Sequence, residues 1–132
     1  MIGYLLDTHT FLWAVHEDAG RKLSDKVSMA IENDKIPLYV SAVSAYEITN
    51  KHRLGKLPEY DYVVENYHNI LRDLGADELS INTNHAHLAG TMGWTHRDPF
   101  DRLLAAQALT DNLTLITNDP AFNSLERIQL MW

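Results

Sequence analysis

The chain of 132 residues contains no cysteine, so neither a disulfide framework nor a thiolate zinc site is available to it. Basic residues are scarce as well. Eleven Lys and Arg against 18 Asp and Glu give a formal net charge of -7, the wrong sign for a protein that coats nucleic acid through a basic surface. Contact with a polyanion would then have to be local, at a place where bound cations reverse the field that a phosphate meets. Long apolar runs are missing too: no segment could span a bilayer, and Met1-Ile2-Gly3-Tyr4-Leu5-Leu6-Asp7 has neither the basic region nor the apolar length of a signal peptide. There is no internal repeat and no low-complexity segment. The expectation is a cytoplasmic protein without a membrane segment. It forms one domain over residues 1–132, and 45% hydrophobic residues are enough for one sizeable core.

What is present is an alternation. Apolar, β-rich runs recur at Ile2 to Leu6, Pro37 to Val40, Leu79 to Ile81, Leu113 to Ile116 and Ile128 to Met131. Between them, helical periodicity predicts helices over Thr10 to Val15, Asp25 to Asn33, Ser44 to Arg53, Tyr60 to Leu74, Asn84 to Met92 and Pro99 to Thr110. Such alternation argues for an α/β fold with a central parallel sheet covered by helices. Leu54-Gly55-Lys56-Leu57-Pro58 reads as a helix stop and a turn, because Gly favours the left-handed cap and Pro cannot continue a helix.

Acids fall at the ends of these runs. Asp7 follows the first directly and Asp119 lies just beyond the fourth, and in an open parallel sheet the C-terminal strand ends line the ligand crevice. Glu47 falls in the first turns of the helix after the second run. Asp98 and Asp101 open the helix before the fourth. Each acid also has an ordinary structural reading. Asp98 before Pro99 suits an N-cap, with Asp101 at N3 favouring the positive helix end. Ser44 with Glu47 fits a capping box, Asp7 can cap the helix starting near Thr10, and Asn118-Asp119-Pro120 is ordinary turn chemistry. Capping, however, does not require several acids to converge on one side of a sheet, and converging like charges is unfavourable without a cation. An oxygen-rich set with no Cys and no compact His motif matches Mg²⁺ or Mn²⁺. His85-x-His87 lacks the i,i+4 spacing of a zinc helix. Lys51, Arg53, Arg97 and Arg102 flank the acids, where they could meet phosphate or simply solvate a helix face. His9 could face the crevice, and Trp13, Trp94 and Trp132 read as packing residues.

Five blocks carry a resemblance: Leu5-Leu6-Asp7-Thr8-His9, Ser44-Ala45-Tyr46-Glu47-Ile48, Arg53-Leu54-Gly55-Lys56-Leu57, Arg97-Asp98-Pro99-Phe100-Asp101-Arg102-Leu103-Leu104-Ala105-Ala106-Gln107-Ala108 and Leu115-Ile116-Thr117-Asn118-Asp119. Together and in this order, over nearly the whole chain, they resemble PIN-domain proteins, especially VapC-type toxins of toxin–antitoxin modules. The resemblance implies a three-layer α/β/α sandwich with a parallel sheet and an acidic site for Mg²⁺ or Mn²⁺. It further implies endoribonuclease activity on an RNA substrate, a cognate antitoxin as partner, and a homodimer. Carried over position by position, Asp7, Glu47, Asp101 and Asp119 match the catalytic and metal-binding acids, and Thr117 is a polar neighbour that positions water or metal. Asp98 stands one helical turn from Asp101 on roughly the same face and could take the third position; Asp101, leading directly into Leu103-Leu104-Ala105-Ala106, is preferred. Tyr46 stands where similar proteins would carry Trp.

Two rival readings compete with this one. A phosphoryl-transfer domain fits poorly, because Leu79-Ser80-Ile81-Asn82 ends without a phosphoacceptor Asp and Asp7-Thr8-His9 lacks a second one. A catalytically silent PIN-like binding or scaffold module is the other, and the complete set of acids argues against it.

Overall fold

The computed structural model describes residues 3–16 and 22–132. Within them lie five strands, β1 (Tyr4–Leu6), β2 (Leu38–Ser41), β3 (Ala76–Leu79), β4 (Thr114–Ile116) and β5 (Gln129–Met131). Seven helices accompany them: α1 (Thr8–Val15), α2 (Asp25–Glu32), α3 (Ala42–Arg53), α4 (Asp61–Glu65), α5 (Tyr67–Leu74), α6 (Thr83–Thr91) and α7 (Pro99–Thr110). The strands form one sheet in the order β3-β2-β1-β4-β5, and every pairing is parallel. The sequence alternation thus produces the expected α/β/α arrangement. Ile2, expected to start the first strand, lies outside the described residues.

The two faces of the sheet can be read from β1. Tyr4 and Leu6 point into a core with Phe11 and Leu12 of α1, Val27 of α2, Ile48 of α3, Val63 of α4 and Ile70 and Leu71 of α5. Leu5 points the other way, into a core with Leu104, Ala105 and Ala108 of α7, Leu115, Trp94 and Phe122. A strand buried on both faces reads as an unbroken apolar run, which is why β1 and β4 were legible. The tryptophans pack as anticipated: Trp94 is buried with its indole N–H donating to Ser124 Oγ, and Trp13 meets Trp132 edge-on at 5.9 Å between ring centroids.

Three expectations are corrected. The third strand runs over Ala76–Leu79 and not Leu79 to Ile81, for it is an edge strand with Asp77 and Glu78 exposed, and their charge masks the pattern. Beyond it, Ile81 is exposed and Asn82 caps α6; Gln107 of α7, fully buried, donates to Ser80 O. The helix expected over Tyr60 to Leu74 is divided at Asn66, whose side chain bonds the Tyr62 carbonyl and competes with the regular ladder. Finally, α3 starts directly after β2 with Ser41 as its cap, donating no turn residues to a loop, so Ser44 lies inside the helix and forms no capping box. The stop after Arg53 is as expected, with Gly55 left-handed at φ 78°.

Gly3 lies against β2 with no room for a side chain. A Cβ there would stand 2.9 Å from the Pro37 carbonyl oxygen and 3.1 Å from the Tyr39 ring, between β1 and β2. Gly3→Ala should therefore lower stability by about 1–3 kcal/mol, measured as a reduced urea midpoint at unchanged slope; a midpoint equal to that of the parent would show that the strands separate without cost.

Candidate active site

The end of β1 is fixed to β4 by the Asp7 N–H, which donates to Ile116 O at 3.1 Å. The chain then turns directly into α1, and Asp7 becomes its N-cap: Oδ1 accepts from the Thr10 N–H at 2.8 Å. Oδ2 accepts from the Thr117 hydroxyl, just beyond β4. Asp7 is only 6% exposed. Burial pushes its carboxyl above the ordinary aspartate range, while hydrogen bonds from Thr10 and Thr117 and the nearby His9 pull it partly back.

Thr117 links two acids. Its Oγ1 also accepts from the Asp119 N–H at 3.0 Å, so the turn after β4 is built on the hydroxyl that holds Asp7. Asp119 is exposed and caps the following 3₁₀ turn over Pro120–Ser124, with Oδ1 accepting from the Ala121 N–H. Glu47 reaches the same place from α3. Its Oε1 accepts from the Thr8 hydroxyl at 2.7 Å, Thr8 Oγ1 and Ser44 Oγ lie 2.9 Å apart, and Lys51 Nζ is 2.7 Å from Oε2. Glu47 is 8% exposed and lies in the second turn of α3, beyond the capping positions, so capping does not account for its burial.

Asp98 and Asp101 lie at the start of α7. Asp98 is its N-cap, Oδ1 accepting from Phe100 N at 2.9 Å, with Pro99 in the first turn, as the sequence predicts. Asp101, half-buried, has Oδ2 2.7 Å from His96 Nε2. Burial raises the Asp101 carboxyl most; the His96 hydrogen bond lowers it, the Asp98 charge raises it, the His96 charge lowers it and the Asp119 charge raises it. Asp101 therefore lies within the field of the acid beyond β4. His96, Asp98 and Asp101 each offer a donor atom within 4.8 Å of the others.

Asp7, Glu47, Thr117 and Asp119 follow the C-terminal ends of β1, β2 and β4, whereas among the described residues the donor atoms close enough to hold one ion are those of His96, Asp98 and Asp101, a group that Asp7, Glu47 and Asp119 do not join. Asp7, Thr117 and Asp119 are joined by hydrogen bonds, Glu47 is joined through Thr8, and Asp101 is coupled through charge. Carboxylate oxygens are the donors that a hard divalent cation prefers. Sequence reasoning missed Thr8, Ser44 and His96. For Thr8 and Ser44 a signal existed, since each stands beside or one helical turn from a selected acid.

Among the flanking bases, Arg102 is corrected as a phosphate contact. Its guanidinium donates to four backbone carbonyls, of Ala89, Met92, Trp94 and His96, at 2.7–2.9 Å. Lys51 is engaged by Glu47, and Arg53 by Asn50; Arg97 is exposed. His85 is buried, completing the α6 cap and meeting Asp111, while His87 is exposed, so the pair does not converge.

The family model described as PIN domain matches residues 4–128. The chain belongs to the PIN-domain family. Solved structures of similar PIN-fold chains include DNA-bound VapBC from Salmonella typhimurium, 19% identical with a TM-score of 0.67, the match covering 99% of this chain and 98% of that one. VapBC2 from Rickettsia felis bound to a promoter DNA fragment is 15% identical with a TM-score of 0.61, covering 97% and 96%. A toxin–antitoxin complex from Klebsiella pneumoniae is 14% identical with a TM-score of 0.59, covering 98% and 97%. At these identities the likeness shows the fold. No curated protein matches the sequence. Among the described residues of this PIN domain, no helix is long and apolar enough to cross a membrane.

The raised carboxyls give a signed pH dependence. Folding favours the protonated forms of Asp7 and Asp101, so their contribution is fully present below the ordinary aspartate value near 4 and is lost as pH rises through the higher folded-state value. In EDTA, the melting temperature should fall across that window, and Asp7→Asn should flatten the fall. An identical pH profile in the variant would remove Asp7 as its source.

Proposed function

We propose that this chain is a Mg²⁺- or Mn²⁺-dependent endoribonuclease, the toxin of a toxin–antitoxin module, with residues 1–132 as a single PIN domain acting in the cytoplasm. The observation that carries this reading is that the Asp7 carboxyl and the Asp119 backbone are both bonded to Thr117 and Glu47 is bonded to Thr8 beside Asp7 in a PIN-family chain, with Asp101 in the field of both Asp98 and Asp119. A neighbour solved as a toxin–antitoxin complex, and two VapBC assemblies, support the assignment to such a module and a cognate antitoxin as partner. A homodimer follows from the family resemblance.

Asp7, Asp101 and Asp119 would hold the cation, with Asp98 adjacent and Glu47 either supporting a second, weaker ion or orienting the attacking water. When bound, the cation supplies Lewis acidity toward a phosphodiester oxygen and positive charge that offsets the acids. The chain's own residues provide order. Thr10 and Thr117 fix the two Asp7 oxygens, so the carboxylate does not reorient when it engages. Thr8 and Lys51 fix the two Glu47 oxygens in the same way, from α1 and from the next turn of α3. Thr117 holds Asp7 and the Asp119 backbone in register with each other. In a chain of net charge -7, an RNA phosphate is attracted only where these acids are neutralised, which makes binding dependent on the cation.

Cleavage of a panel of structured RNAs by purified protein tests the proposal. Cutting should require Mg²⁺ or Mn²⁺, cease in EDTA, and drop by at least about a hundredfold in Asp7→Asn and Asp101→Asn, each variant retaining the parental circular dichroism spectrum. Full activity of Asp101→Asn would overturn the site. A panel left intact, together with no Mn²⁺-induced rise in melting temperature, would favour a scaffold role instead.

A further inference from the structure

Residues 92–98, between α6 and α7, have no regular secondary structure but are firmly held. Arg102 anchors them from α7 through the Met92, Trp94 and His96 carbonyls, and reaches α6 through Ala89. Trp94, buried and bonded to Ser124, places its ring 4.9 Å from the His96 imidazole. The imidazole is therefore fixed by a bonded backbone behind it and an aromatic ring beside it, with Nε2 directed at Asp101 Oδ2. Asp98 caps α7 through Oδ1, which leaves its Oδ2 for another partner. The three side chains converge closely enough for one ion to meet a donor atom from each.

We propose that His96 supplies an imidazole nitrogen to the cation bound by Asp101, making this a mixed nitrogen–oxygen site that takes a transition-metal ion such as Mn²⁺ in preference to Mg²⁺. The inference rests on the reading that the acidic cluster binds a divalent cation, and adds a ligand and a selectivity to it. Mg²⁺ demands near-ideal octahedral oxygen coordination and keeps its waters, whereas Mn²⁺, equally suited to carboxylates, is a transition-metal ion that gives up a water for an imidazole more readily, so a nitrogen ligand favours Mn²⁺ of the two. Ligand order matters as much as ligand type. An imidazole already oriented by its surroundings loses little freedom on coordination, which is what the Arg102 and Trp94 contacts provide.

Mn²⁺ added to the protein and examined by pulsed electron paramagnetic resonance tests this directly, because a coordinated imidazole couples its ¹⁴N nucleus to the bound ion. The parent should show that coupling, His96→Gln should lose it, and His9→Gln, lacking the imidazole near Asp7, should keep it. Titration should show Mn²⁺ affinity falling roughly tenfold or more in His96→Gln, with Mg²⁺ affinity changing less. Bound Mn²⁺ without nitrogen coupling in the parent, or coupling that survives in His96→Gln, overturns the ligand assignment and leaves the acidic cation site standing. Failure of Mn²⁺ to bind at all overturns both. If His96→Gln does not fold, His96→Asn replaces it: loss of the coupling supports the proposal, and coupling that survives overturns it.

Discussion

Asp7 terminates the one strand whose two neighbours, β2 and β4, both precede a selected acid in the chain, and its carboxyl is enclosed by the sheet and by α1. A buried carboxylate without partners is costly, so each of its oxygens has to be met by the protein. Thr10 meets one and Thr117 the other, and both arrangements reach further: the first starts α1, the second sets the turn that carries Asp119. Thr8, within the first turn of α1, then fixes Glu47 on α3. Satisfying one buried group thus aligns three elements that are far apart in sequence.

The structural and chemical readings of these acids turn out to be compatible, because a carboxylate has two oxygens. Asp7, Asp98 and Asp119 each cap a helical start through Oδ1. The cap fixes the rotamer, and the second oxygen is then presented in a defined direction. Asp101 and Glu47 do not cap, and they are placed by side-chain partners instead: His96 for the first, Thr8 and Lys51 for the second. Helix-capping preference, which argued against function in the sequence, is here one means of positioning it.

The inner strands, the acids and the helix stop at Gly55 were legible because each leaves a local mark: an apolar run, a charge at its end, a residue suited to a left-handed turn. What was not legible depended on distant partners. Asp77 and Glu78 obscured an edge strand whose backbone is held by β2, and Asn66 interrupted a helix whose periodicity continued across it. Ser44 suggested a cap because nothing local reveals that β2 passes into α3 without a loop. Arg102 looked like a surface cation; only the folded path of residues 92–98 brings four carbonyls to its guanidinium. His96 likewise acquires meaning only beside Asp101.

The charge that hid β3 also shapes how this sheet can meet another. β3 lies at one margin with its backbone paired on one side only, and Asp77 and Glu78 stand exposed along it, Glu78 also reaching His68 at 2.8 Å. A second copy adding a strand there would bring like charges alongside one another, the repulsion that keeps open sheet margins from growing into extended aggregates. Association between copies is thereby steered away from continuous β-sheet at this margin.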